Sequence, residues 1–156
     1  MSCSSVCVES NSEAGTIEIG RRLGERLLPG DCLSLCGDLG AGKTRLVQGL
    51  ARGLGIDSRE VSSPTFVLCH GYEGRHRLLH VDAYRLGSAA EFEELGVIEQ
   101  LAVGAVVVVE WGEKIAAALP ATCWRITLTE TSPLSRSIEI VVPEARAAVL
   151  RDLAPS

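Results

Sequence analysis

Short apolar runs alternate with amphipathic stretches along this chain, and the alternation predicts strands interleaved with helices. The strongest strand signal lies at residues 105–110, where four consecutive valines lead to Glu110. An unbroken β-branched run of this kind is typical of a central parallel strand that is covered on both faces. The sequence therefore predicts an α/β fold with a mostly parallel central sheet and an antiparallel portion.

A strand, a glycine-rich loop and a helix follow one another between residues 31 and 55. Residues 31–36 alternate like a short strand, and the helix that should start near Gly42 carries apolar residues at Leu46, Val47, Leu50 and Leu54. Gly55 stands where a helix C-cap is expected. Gly49 and Gly53 weaken the intrinsic helicity of this segment, which predicts close packing against a neighbour.

Weaker patterns predict the remaining elements. The predicted strands are an edge strand at residues 6–9, residues 66–70, residues 78–82 after a hairpin turn at Glu73-Gly74, residues 124–129 and residues 137–142. The first of these predicted helices begins at Ser12-Glu13 and carries Ile19, Leu23 and Leu27. Another runs from Ser88 to Gly96, and three more cover residues 97–103, 113–119 and 144–153.

Composition and charge narrow the class of protein. The 156 residues carry a net charge of −5 with a pI near 5.2, so the global basic character of a nucleic-acid binder is missing and DNA is not an expected partner. No apolar run reaches the length of a membrane span, and residues 1–6 have neither the basic start nor the apolar core of a signal peptide. We expect a cytoplasmic protein whose six cysteines are reduced and mostly buried.

The chemistry begins with a phosphate-binding pattern, G-x-x-x-x-G-K-[ST]. It is matched by Gly37-Asp38-Leu39-Gly40-Ala41-Gly42-Lys43-Thr44. Glycines let backbone N–H groups approach a triphosphate closely, Lys43 adds a positive charge, and Thr44 offers a hydroxyl to Mg²⁺. The pattern predicts a three-layer, P-loop NTPase-like fold in a single domain, residues 1–156, with Asp38, Leu39, Gly40, Ala41, Gly42, Lys43 and Thr44 binding the nucleotide.

Two carboxylates end predicted strands, where open α/β sheets bind ligands. Glu110 ends the buried strand, so a functional carboxylate on the phosphate side is favoured over a solvated strand-end residue, and Trp111 would then lie beside the nucleotide. For Asp82, a place near Mg²⁺ and a plain strand-end turn remain equally open. Thr65, in Ser63-Pro64-Thr65-Phe66, is either part of a stiff turn, which the local sequence favours, or part of a switch segment that meets Mg²⁺ or the γ-phosphate.

Elimination favours ATP as the nucleotide. The single asparagine, Asn11, excludes an Asn-Lys-x-Asp guanine reader, and neither Asp-x-x-Gly nor Ser-Gly-Gly-Gln occurs. A small-molecule kinase remains the alternative to an ATPase, although no Arg-rich lid segment is present.

Several motifs together resemble one family. The phosphate loop, Ser63-Pro64-Thr65-Phe66, His80-Val81-Asp82-Ala83-Tyr84-Arg85-Leu86, Glu94-Leu95-Gly96 and Val109-Glu110-Trp111 occur in order. This set is similar to the TsaE (YjeE) family, the bacterial ATPases required for threonylcarbamoyladenosine formation on tRNA. The resemblance covers roughly residues 14–112 well and the tail poorly.

The resemblance implies an ATPase that uses ATP and Mg²⁺, works with the TsaD–TsaB complex and resets it between modification cycles, and meets tRNA only through those partners. Lys43 and Thr44 would bind phosphate and Mg²⁺, Glu110 would help hold Mg²⁺, Asp82 would lie at the catalytic centre, and Thr65 would belong to the switch. Thr16 would lie near the base, and Arg136 matches a family arginine weakly. Arg45 stands where the family usually repeats Thr, and we expect it to point away from the site.

Overall fold

The architecture is described from a computed structural model, which places residues 2–38, 40–61 and 68–153. The strands are β1 (Cys3–Ser10), β2 (Cys32–Cys36), β3 (Cys69–Tyr72), β4 (Leu78–Asp82), β5 (Val106–Glu110), β6 (Trp124–Glu130) and β7 (Arg136–Pro143). The α-helices are α1 (Glu13–Glu25), α2 (Lys43–Gly53), α3 (Ala89–Glu94) and α4 (Val97–Ala102). Three 3₁₀ segments cover Ser58–Glu60, Gly112–Ala118 and Glu144–Leu150.

All seven strands form one sheet, in the order β1-β7-β6-β2-β5-β4-β3. The four central strands, β6, β2, β5 and β4, run parallel. The pairings β1–β7, β6–β7 and β3–β4 are antiparallel. The parallel core and the antiparallel portion agree with the prediction: the β3–β4 hairpin extends the core on one side, and the β6–β7 hairpin followed by β1 extends it on the other.

Helices cover both faces of the sheet. Val106 and Val108 pack in the same apolar cluster as the buried side chains of α1 and α2. Val107 and Val109 belong to a second cluster, which includes Phe92 of α3. Since successive strand residues point to opposite faces, β5 is covered on both sides, and the predicted central parallel strand is confirmed.

Glycines bring α1 and α2 into backbone contact. A Cβ added at Gly49 would lie 2.1 Å from the carbonyl oxygen of Ile17, and one added at Gly24 would lie 2.3 Å from that of Leu50. No side chain fits at such separations, so only glycine allows this approach. The predicted close packing of α2 is confirmed. This contact with α1 holds in place the helix that follows the phosphate loop.

The terminal segments differ most from the sequence-based expectation. Strand β1 begins at Cys3 rather than at residue 6, because its whole length pairs with β7, up to Ser10 opposite Arg136. The predicted helix over 144–153 is wrong, because Glu144–Leu150 is a 3₁₀ segment interrupted at Arg146, with φ −110° and ψ 15°. There Arg146 pairs with Asp31 and donates from its second terminal nitrogen to the carbonyl of Arg26, which overrides helix propensity.

Two further expectations concern burial and the membrane. All six cysteines are free, but only Cys32 is buried, and Cys3 and Cys7 are exposed on the edge strand, so the expectation of mostly buried cysteines is wrong. Over the ranges that the structure places, no helix has both the length and the apolarity to cross a membrane.

Candidate nucleotide-binding site

The phosphate loop joins β2 to α2 through a backbone that depends on glycine. Gly42, the N-cap of α2, has φ 99°, in the left-handed region that glycine adopts without strain. Gly37 has φ 144°, and a Cβ there would lie 2.6 Å from the carbonyl oxygen of Leu128. Gly42, Lys43 and Thr44 line an open cavity, and the first N–H groups of any helix lack a partner within the helix, so this end of α2 is suited to binding an anion.

Lys43, the first residue of α2, is the main cation of this space. Its side chain is buried, and its Nζ donates hydrogen bonds to the carbonyl of Gly37 and to that of Asp38, the latter at 3.1 Å. The same Nζ lies 3.9 Å from the centroid of the Trp111 ring, within cation–π range. Burial lowers the pKa of Lys43, and the carboxylates of Glu110 and Glu113 oppose that effect.

A cavity of about 680 Å³ opens in front of the loop, a volume suited to a nucleotide-sized ligand. Five parts of the chain line it, including the β1–α1 junction and the β6–β7 turn. The lining residues are Ser12, Glu13, Thr16, Gly40, Ala41, Gly42, Lys43, Thr44, Arg45, Asp82, Tyr84, Arg85, Glu110, Trp111, Pro133, Leu134 and Arg136.

Nearly all the predicted site residues line this one cavity. They are Thr16, Gly40, Ala41, Gly42, Lys43, Thr44, Asp82, Glu110, Trp111 and Arg136. Asp38 instead lines a second cavity with Thr127 and Glu130, and it meets the site through its backbone carbonyl. The predicted residues Leu39 and Thr65, with the switch segment 63–66, lie outside the described residues.

The two carboxylates come from neighbouring parallel strands, with Asp82 of β4 opposite Glu110 of β5. Glu110 is only 5% exposed, and its Oε2 lies 2.5 Å from Nε2 of His80, a contact that the sequence analysis did not foresee. Asp82 accepts a hydrogen bond from the backbone N–H of Tyr84 at 2.9 Å. Their register brings two acidic side chains to the loop end of the sheet.

Trp111 adopts a backbone conformation that is rare for a bulky residue, with φ 61° and ψ 35°. The turn directs its ring toward Lys43 and places it 5.0 Å from the ring of Tyr84. The Nζ of Lys114 lies 5.0 Å from the Tyr84 ring. The result is an aromatic wall beside the lysine of the loop, and of this wall the sequence predicted only Trp111.

Thr16 and Arg136 flank Gly42 on the side of α1 and β7. The hydroxyl of Thr16 is buried and lies 2.8 Å from that of Ser10. Arg136 donates from Nε to the carbonyl of Ala41 and from a terminal nitrogen to that of Gly40, both at 3.1 Å. Arg136 therefore holds the loop through its carbonyls at Gly40 and Ala41, in addition to lining the cavity.

Arg45 does not point away from the site as expected. It lines the cavity, and its Nε lies 3.5 Å from Oε2 of Glu13 at the start of α1. The reason is the close approach of the two helices, which brings the first turn of α2 beside that of α1. Sequence spacing gives no signal for this contact.

The donor set fits Mg²⁺ in a phosphate-bound form. Thr44 and Glu110 offer hard oxygen ligands beside the loop, and Mg²⁺ usually takes one or two carboxylates together with substrate phosphates and water. Within residues 2–38, 40–61 and 68–153, no group of three or more His, Cys, Asp or Glu side chains could hold a metal ion alone.

Comparison with known proteins gives consistent matches. The family model described as threonylcarbamoyl adenosine biosynthesis protein TsaE matches residues 10–138. The tRNA threonylcarbamoyladenosine biosynthesis protein TsaE of Treponema pallidum is 41% identical over 140 residues, which are 90% of this chain and 99% of that protein. Its namesake in Nostoc sp. is 42% identical over 132 residues, 80% of this chain and 78% of that protein. The crystal structure of YdiB from Bacillus subtilis aligns with a TM-score of 0.80 at 28% identity and covers 98% of this chain and 96% of that one.

These matches include the site as well as the fold. The family model runs from the end of β1 into β7 and so contains the loop, both carboxylates and Arg136. The resemblance that the motifs indicated is confirmed. The chain belongs to the TsaE family of threonylcarbamoyl adenosine biosynthesis proteins.

Proposed function

We propose that this chain binds ATP with Mg²⁺ in the cavity and hydrolyses it during tRNA threonylcarbamoyladenosine biosynthesis, in concert with the TsaD–TsaB complex. The observation that carries the proposal is one cavity lined by the glycine-rich loop, Lys43 and the acidic pair Asp82 and Glu110. A cation, free amides and paired carboxylates in one place are the parts that phosphoryl transfer needs. Membership of the TsaE family supports the biosynthetic context.

Phosphate binding is supported by the loop and Lys43. The N-terminus of α2 carries the positive end of the helix dipole, and Lys43 adds a full charge in a buried setting where electrostatic contacts are strong. On binding, the Nζ would exchange its loop carbonyls for β- and γ-phosphate oxygens. Trp111 would keep water away from that lysine.

The carboxylates support hydrolysis. Bound Mg²⁺ would neutralise charge that develops on the phosphates, and Thr44 and Glu110 are the residues that would hold it. Asp82, opposite Glu110 in the strand register, would orient water in the same space. Arg85 also lines the cavity and is available to stabilise negative charge.

The proposed binding is tested by Lys43→Ala, with Arg59→Ala as the control, because Arg59 is exposed, pairs with Asp57 and does not line the cavity. Loss of a charge-assisted contact should weaken ATP binding about 10–100-fold in calorimetry, whereas removal of this exposed cation should leave the affinity near wild type. Equal affinities for wild type and Lys43→Ala would show that the loop is only a turn.

The proposed partnership is tested by phosphate release, measured for this chain alone and with a TsaD–TsaB complex. A group or an ordering contact supplied in trans can raise such rates by about 10³–10⁵. We expect slow hydrolysis alone and a clear acceleration with the complex. Identical rates would contradict a joint action, and a phosphorylated metabolite instead of free phosphate would indicate a kinase.

A further inference from the structure

His80 is a polar residue in an apolar part of the sheet. It lies in the middle of β4 and is completely buried. Leu78 on β4 and Val106 and Val108 on β5 share its face, and all three are fully buried in the cluster that also contains α1 and α2. In the strand register His80 lies opposite Val108 on β5 and opposite His70 on β3, and Asp82 and Glu110 follow on the same face. Its neighbours toward β5 are therefore apolar up to Glu110, where the site begins.

Packing does not account for an imidazole at this position. Its Nε2 lies 2.5 Å from Oε2 of Glu110, and among the residues that the structure places its buried Nδ1 finds no hydrogen-bond partner. A carboxylate oxygen can only accept, so a proton is assigned to Nε2 in this bond, and the buried Nδ1 is left without a partner in the described part of the chain. Such burial costs free energy that an apolar side chain of similar size would not incur.

The compensating contact is the one to Glu110. That glutamate is itself 5% exposed and lies at the boundary between the core and the cavity. A hydrogen bond to Oε2 fixes the rotation of the carboxylate and leaves Oε1 for a cation. His80 does not line the cavity, so it reaches the site through Glu110 and not directly.

We propose that His80 is a positioning residue that orients Glu110 toward Mg²⁺. The inference rests on the proposed function, since it concerns the cation that accompanies ATP. In metal sites generally, a residue that does not touch the metal fixes the orientation of a ligand by a hydrogen bond to it. Loss of that hydrogen bond weakens metal binding about 10–100-fold.

The test compares His80→Gln with His80→Met. Glutamine and methionine have similar length and volume, and the amide nitrogen of glutamine can take the place of Nε2 as a donor, whereas methionine has no donor. For each protein, ATP affinity is measured by calorimetry with Mg²⁺ and with a chelator. The ratio of the two affinities reports the contribution of the cation and does not depend on turnover.

We expect that His80→Met reduces this Mg²⁺-dependent gain about 10–100-fold, that His80→Gln retains most of it, and that neither changes the affinity measured with the chelator. A wild-type gain in His80→Met would overturn the inference, as would equal losses in both variants. Absence of any Mg²⁺-dependent gain in the wild type would instead overturn the proposed function, and the inference with it.

Two further measurements exclude a general structural effect. Urea unfolding without nucleotide should show His80→Met to be folded and at least as stable as His80→Gln, because Leu78, Val106 and Val108 are apolar neighbours and a buried amide is more costly than a thioether. In a Glu110→Gln background, His80→Met should cause no additional loss of the Mg²⁺-dependent gain, since the two residues act as a unit. Additive losses in the double variant would show that His80 acts by another route.

Discussion

Gly49→Ala tests the contact that holds α2 and its loop in place. The new Cβ would lie 2.1 Å from the carbonyl oxygen of Ile17 and 2.9 Å from both the backbone nitrogen of Arg21 and Cα of Gly20. All three obstacles are backbone atoms, so no side-chain rotation relieves the clash. The two helices must separate along their contact.

The expected loss follows from two opposing effects. Overpacking of a well-packed interior costs about 1–3 kcal/mol, and a clash with backbone belongs at the upper end of that range. Alanine has a helix propensity about 1 kcal/mol better than glycine, which offsets part of the loss. We therefore expect the free energy of unfolding to fall by about 2 kcal/mol and Tm to fall by about 4–8 °C.

Urea unfolding followed by circular dichroism measures this loss, with Arg52→Ala as the control. Arg52 lies on the exposed face of the same helix, and its guanidinium donates to the hydroxyl of Ser58 at 3.0 Å. Its replacement should change the free energy of unfolding by about 0.5 kcal/mol or less. A Gly49→Ala protein as stable as the wild type would refute the backbone contact between α1 and α2.

Three further predictions concern the site and one surface ion pair. Mg-ATP should change the intrinsic fluorescence, and Trp111→Phe should remove most of that change while Trp124→Phe, in the core, should not; the reverse pattern would place Trp111 away from the ligand. Glu110→Gln should lower the rate of phosphate release at least about 10-fold and leave the ATP affinity measured with a chelator unchanged, because Mg²⁺ needs the negative charge of the carboxylate. Wild-type turnover in this variant would remove Glu110 from the catalytic residues. The hydrogen bond from Arg21 lowers the pKa of Glu18 to about 2, so this pair stabilises the fold above about pH 4.5 and loses its effect as the pH falls toward 2. Glu18→Gln should therefore cost about 0.5 kcal/mol at pH 7 and nothing near pH 2 in urea unfolding; a constant difference at both pH values would contradict the pairing.

Local patterns in the sequence were sufficient for the loop and the central strand. The valine run of β5 and the glycine spacing of the loop are each encoded within a few consecutive residues, and both predictions agree with the structure. The hairpin into β4 was predictable for the same reason, since Glu73 and Gly74 separate two short apolar runs.

Contacts between distant residues account for what the sequence did not predict. The bond between His80 and Glu110 joins side chains 30 positions apart, and the contact of Arg45 with Glu13 depends on how closely two helices approach. The 3₁₀ segment near the C-terminus follows from the pairing of Arg146 with Asp31, 115 positions away. Periodicity reports which face of an element is apolar, and it carries no information about such pairings.

The brace formed by Arg136 has a dynamic consequence for the phosphate loop. Its guanidinium donates to loop carbonyls on one side and, within the β6–β7 turn, to the carbonyls of Ser132 at 3.0 Å and Ser135 at 2.9 Å. Local opening of the loop would break charge-assisted bonds to the β6–β7 hairpin, whose first strand pairs with β2. We therefore expect loop and hairpin to open together as one cooperative unit, so that slow fluctuations of the cavity extend into β6 and β7.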